Sequence, residues 1–121
     1  MEKLATAQAG RLKKLLNLGD DTAALATVLK YTAPLWPPAG FEWRFQEIGE
    51  RILTMEVNKC PMVTYRDSIG SGLLPCKLAA DGLYRALAKA ISPKFEVTCL
   101  HAHPDERIAG VTCRWQFVLQ D

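Results

Sequence analysis

The sequence predicts an α+β fold: an antiparallel four-stranded sheet with helices packed on one face, in the order α-α-β-β-α-β-β. Three observations predict it. Apolar residues recur at helical spacing through the first third of the chain and again around residue 80. Elsewhere, short stretches alternate apolar and polar residues with the period of two that a half-buried strand requires. Runs of strands joined by short turns pair as antiparallel hairpins rather than as crossover units. The chain of 121 residues, 49% of them hydrophobic, fits one core and leaves no room for two. It reads as a single domain, 1–121, with a helical N-terminal segment over 1–34 and a sheet-and-helix core over 41–121.

The elements follow in order. Residues 2–18 form a helix whose inward stripe is Leu4, Ala7, Leu12, Leu15 and Leu16, stopped by Gly19. Asp20 and Asp21 cap a second helix over 21–33, with Ala24, Leu25, Val28 and Leu29 inward. The run from Leu35 to Gly40, with its two prolines, breaks the helix and turns the chain. Phe41, Trp43 and Phe45 then alternate with Glu42, Arg44 and Gln46, and Leu53, Met55 and Val57 with Thr54, Glu56 and Asn58. Gly49 and Glu50 turn the first strand into the second, and Cys60-Pro61 ends the hairpin. Residues 61–69 make one or two helical turns before the flexible Gly70-Ser71-Gly72. Pro75 suits the first turn of a helix over 75–91, with Ala79, Leu83, Ala86, Leu87 and Ala90 inward and Ser92-Pro93 closing it. Phe95, Val97 and Cys99 share one face of a third strand. His101 to Gly110 forms a loop, and Val111, Cys113, Trp115, Phe117 and Leu119 share one face of a fourth strand.

Composition narrows the function. The formal charge is +2 and the basic residues are scattered, without the dense stripe interleaved with aromatics of a nucleic-acid footprint. No apolar run reaches the roughly 18 residues of a membrane span, and the polar N-terminus lacks a signal-peptide core. The cytoplasm is the expected compartment. In that reducing setting the four cysteines read as thiols rather than a disulfide framework.

Those thiols are the candidate chemistry. Cys76 lies in the first turn of the long helix, where local N–H groups favour a thiolate. Cys99 and Cys113 lie on inward strand faces. If their strands pair, the three thiols meet between helix and sheet, and zinc takes such ligands tetrahedrally. No Cys-x-x-Cys pair is present, and small buried core residues are the alternative reading. Glu96, His101, His103 and Cys60 are the candidates for a fourth ligand, although alternation sets Glu96 on the face opposite Cys99 unless the strand bulges. Tyr84, Trp115 and Phe117 are candidates to line a small-molecule pocket between the helix and the sheet. Cys60 is presented at an element end beside Lys59, with Arg66 one or two turns onward to hold a ligand carboxylate. Trp36, beside Pro37 and Pro38, is the candidate contact for a homodimer.

Two family resemblances bear on these residues. Leu74-Pro75-Cys76, Gly82-Leu83-Tyr84, Phe95-Glu96-Val97-Thr98-Cys99 and Gly110-Val111-Thr112-Cys113-Arg114-Trp115-Gln116-Phe117 together resemble the 4-vinyl reductase domain. That domain is an α+β small-molecule-binding module of chlorophyll-biosynthesis proteins and of aromatic-sensing bacterial transcription activators. In the activators, a cysteine opening a helix, a Glu-x-x-Cys and a later cysteine bind zinc beside the ligand pocket. The resemblance implies those roles for Cys76, Glu96, Cys99 and Cys113. It covers about the last 50 residues. A broader likeness, over Asn58-Lys59-Cys60-Pro61, Pro75-Cys76-Lys77 and Cys113 to Phe117, is to uncharacterised prokaryotic cytosolic proteins similar to L-2-amino-thiazoline-4-carboxylate hydrolases. It implies hydrolysis of a cyclic C=N bond by Cys60 or a metal-bound water, with Asp81 orienting or relaying a proton. The expectation is a metal-supported small-molecule-binding domain, with the hydrolase as the alternative.

Overall fold

The computed structural model describes residues 2–31, 40–70, 76–102 and 108–121, without the side chains of Glu2, Ala5 and residues 76–79. Eight elements lie among them: α1 (Glu2–Leu15), α2 (Thr22–Lys30), β1 (Glu42–Ile48), β2 (Ile52–Lys59), α3 (Pro61–Ser68), α4 (Cys76–Ile91), β3 (Phe95–His101) and β4 (Cys113–Leu119). The four strands form one sheet in the order β1-β2-β4-β3, every neighbouring pair antiparallel. This is the α+β fold with a four-stranded antiparallel sheet that the alternation implies. The expected turn at 35–40 falls largely outside the described residues. So do Gly72 to Pro75, and His103 with Pro104 and Asp105.

Alternation decides which sheet face is covered. Leu53, Met55, Val57, Phe95, Val97, Trp115 and Phe117 are buried, and against them pack Leu25, Val28 and Leu29 of α2 and Tyr84, Leu87, Ala88 and Ile91 of α4. Burying a large apolar side chain contributes about 1.5–3 kcal/mol, so this single cluster is the main source of stability. Helix α4 lies centrally, touching β3 on one side and α1 and α2 on the other.

Helix α1 corrects the expected stripe. Leu4, Leu15 and Leu16 are exposed, while Ala9 is fully buried and Leu12 and Lys13 are half-buried. The leucines suggested one phase, but close packing on α4 selects the small side chain. Lys13 joins that face because its ammonium donates to the Ile91 carbonyl at 2.8 Å, near the C-terminus of α4, where a cation is favoured. The chain leaves the helix at Leu15 rather than residue 18.

The cap on α2 is as expected. Asp21 is in an extended conformation and its Oδ1 accepts from the Ala24 N–H at 2.9 Å. Asp21→Ala should therefore cost about 1 kcal/mol, read as a lowered urea midpoint with an unchanged slope. At the end of β2, Pro61 opens α3 as its first residue. Gly40, at φ +104°, lies against it, and an added Cβ would come within 3.1 Å of Pro61 Cγ. Only glycine meets both the conformational and the steric demand there.

Both sheet edges are irregular. β1 shifts register between Glu42 and Trp43 and between Phe45 and Glu47, and β3 shifts between Cys99 and His101. Bulged edges resist further strand pairing. The shift in β3 also corrects the reading of His101, which ends the strand, is 8% exposed, and pairs with Arg114 rather than opening a loop.

Candidate functional site

The register sets the spacing of the expected metal ligands on β3 and β4. Cys99 pairs with Trp115, and Cys113 pairs with Val57 on the far side of β4. The two thiols are thus diagonal neighbours, a relation that separates residues by about 7–8 Å. Two sulfurs sharing a zinc at about 2.3 Å each must approach to roughly 4 Å. Glu96 is exposed on the opposite face from Cys99, and its Oε2 accepts from the Gln120 amide at 2.8 Å. The alternation objection to Glu96 therefore holds, because the bulge falls beyond Cys99. Cys76 opens α4, with its side chain outside the described atoms. Among the described residues no three His, Cys, Asp or Glu side chains form a group able to hold a metal ion. That finding overturns the expected zinc and, with it, the reading of a metal-supported domain.

The other candidates are dispersed. Cys60 is half-buried at the N-cap of α3 and packs against the core without a side-chain capping bond. Arg66 is half-buried on α3. Asp81 accepts from Arg85 Nε at 2.7 Å, one turn along α4. Tyr84 and Trp115 do come together, with ring centroids 4.9 Å apart, but they are 5% and 0% exposed. The indole Nε1 of Trp115 is buried and has no hydrogen-bond partner among the described residues.

Two concave regions of the described surface bear on function. One, of about 700 Å³, is lined by Lys13, Arg51, Lys89, Lys94 and the end of α4. Its charges serve the fold. Lys13 pairs with Asp20 and the Ile91 carbonyl, Lys89 donates to the Pro93 carbonyl at 2.8 Å, and Arg51 pairs with Asp121 at 2.6 Å. A helix C-terminus presents carbonyl oxygens and disfavours an anion, so this cleft is a poor receptor for one.

The second is an open groove of about 470 Å³ formed by Lys30, Tyr31, Trp43, Arg44 and Phe45. It runs along the outer edge of β1, where the last turn of α2 approaches the strand. Trp43 and Phe45 meet edge to face, with centroids 5.0 Å apart and planes at 85°. Tyr31 is 68% exposed. Three rings thus line the groove together with Lys30, while the Arg44 guanidinium turns to the opposite face of β1. Sequence alternation marked Trp43 as a core residue. The missing signal was the approach of Tyr31, which belongs to the end of a different element.

Arg44 also belongs to a row that crosses the sheet on the face away from the helices. Register aligns Arg44 with Glu56, Glu56 with Arg114, and Arg114 with His101. Glu56 Oε2 lies 3.1 Å from Arg44 Nη2, and Oε1 lies 3.5 Å from Arg114 Nη2. The Glu56 side chain is 3% exposed, against 66% for Arg44 and 30% for Arg114. A carboxylate this buried is rare unless paired, and here two guanidinium groups share it.

No helix among the described residues is long and apolar enough to cross a membrane. Against protein-family models, residues 1–119 match one, described as a family of unknown function (DUF6125). No curated protein and no solved structure matches the chain.

Proposed function

We propose, for a chain that belongs to this family of unknown function, that it is a small-molecule-binding module whose ligand is aromatic and is held by the rings of the groove beside β1, next to Lys30. The observation that carries the reading is the convergence of Tyr31, Trp43 and Phe45 beside Lys30. Aromatic walls with a few fixed polar groups are the usual makeup of a ligand site, and about 470 Å³ lies within the range such sites occupy. Stacked and edge-on ring contacts each contribute roughly 0.5–1.5 kcal/mol beyond area burial. The register shifts in β1 disfavour the addition of a peptide strand at the same edge.

Titration of a panel of one- and two-ring aryl carboxylates, followed by NMR, tests this. Saturable shifts should centre on Tyr31, Trp43 and Phe45, and Tyr31→Ala should weaken the best binder about tenfold, an effect of about 1.4 kcal/mol. Tyr31 is exposed enough for the variant to keep its fold. Shifts that scatter over the surface, or that are indifferent to Tyr31, would reject the groove as the site.

A further inference from the structure

We infer that Arg114 and His101 form a second binding site, for the carboxylate of a small molecule, on the sheet face away from the helices. It is independent of the groove beside β1.

The site starts from a bulge. Strict alternation from Phe95, Val97 and Cys99 would turn His101 toward the helices. The register shift between Cys99 and His101 instead sets His101 opposite Arg114, in the row of Arg44 and Glu56. Bulges recur where a side chain is re-aimed beside a functional site. His101 is 8% exposed, and its ring has no hydrogen bond or ion pair among the described residues. The Nε of Arg114 is buried and has no hydrogen-bond partner among them either. Buried polar groups are ordinarily satisfied. Two unsatisfied neighbours in one row point to an acceptor from outside the chain.

Charge identifies the acceptor. Glu56 divides its partners unequally: Oε2 accepts a hydrogen bond from Arg44 Nη2 at 3.1 Å, whereas Oε1 lies 3.5 Å from Arg114 Nη2. Arg44 therefore answers most of the Glu56 charge, and Arg114 keeps a positive charge with donors to spare. The Arg114 side chain is 30% exposed, so a small ligand reaches it from solvent. Two guanidinium groups against one carboxylate leave one positive charge in excess, which a monoanion matches. A carboxylate also presents two oxygens in one plane, the complement of an arginine fork, and the imidazole beside it supplies a further N–H. A phosphate dianion would bring a second negative charge up to Glu56.

The test titrates acetate, inorganic phosphate and chloride, at one ionic strength and near neutral pH, into the wild-type protein. NMR follows the arginine Nε–H and histidine ring resonances. Acetate should shift Arg114 and His101 saturably, chloride should not, and phosphate should bind more weakly than acetate. An anion that merely gathers at surface charge meets Arg44 first, because that side chain is 66% exposed. Leading shifts at Arg44, or equal shifts with chloride, overturn the site. Tighter binding of phosphate overturns the carboxylate as its ligand. In Arg114→Lys the charge survives but the fork is lost, and acetate should bind about fivefold more weakly. His101→Phe keeps the ring and removes the donor, and should weaken acetate about threefold. Undiminished affinity in either variant overturns the inference. Should a variant fail to fold, the wild-type shifts at Arg114, His101 and Arg44 decide alone.

Discussion

Replacing Trp115 by alanine should cost about 3–5 kcal/mol of folding stability, whereas Trp115→Phe should cost about 1 kcal/mol. The side chain is fully buried and sits mid-row, between Met55 on β2 and Cys99 on β3, with the Tyr84 ring over it at 4.9 Å. Alanine there leaves a cavity that a four-stranded sheet cannot close, and the lining loses its dispersion contacts outright. The phenylalanine result is the more informative of the two. A buried indole ordinarily has a hydrogen-bond partner, and removing a partnered donor strands an acceptor at about 1–3 kcal/mol. Nε1 of Trp115 has no partner among the described residues, so phenylalanine forfeits only ring volume. Urea unfolding followed by far-ultraviolet circular dichroism separates the two variants. A phenylalanine penalty near that of alanine would show that the indole N–H has an acceptor after all.

The reach of sequence reasoning follows from which interactions are local. The β1–β2 hairpin was legible because Trp43, Phe45, Met55 and Val57 alternate with polar residues across a short turn, and Asp21 announced its cap. The phase of α1 was not, since Leu15 and Leu16 mimic an inward stripe that only the proximity of α4 contradicts. Strand order is likewise non-local. Cys99 and Cys113 do share the inward face, but the β3–β4 register places Trp115 opposite Cys99, which no periodicity reveals. A one-residue bulge then removes His101 from the alternation and sets it beside Arg114. The groove was hidden for a related reason. Lys30 and Tyr31 end a helix, Trp43 to Phe45 begin a sheet, and only the tertiary fold brings them together.

The charge row of the sheet should show the strongest non-additivity in the protein. Arg44→Ala alone should cost less than about 1 kcal/mol, because Arg44 is 66% exposed and Arg114 remains to balance Glu56. Arg114→Ala should cost about 1–2 kcal/mol, since that side chain is only 30% exposed and loses packing as well as charge. The double variant should lose about 3–5 kcal/mol, because it leaves a carboxylate that is 3% exposed without any counter-charge. Removing the carboxylate instead is milder. Glu56→Gln leaves two arginines that reach water, and about 1–2 kcal/mol covers the lost charge-assisted bonds. The order double arginine, then Glu56→Gln, then Arg44→Ala follows from exposure alone: the cost lies in the group that cannot escape to solvent. A double-mutant cycle measures it directly, as the loss in the double variant beyond the sum of the singles. Strict additivity would mean that Glu56 gains access to water once the arginines are gone.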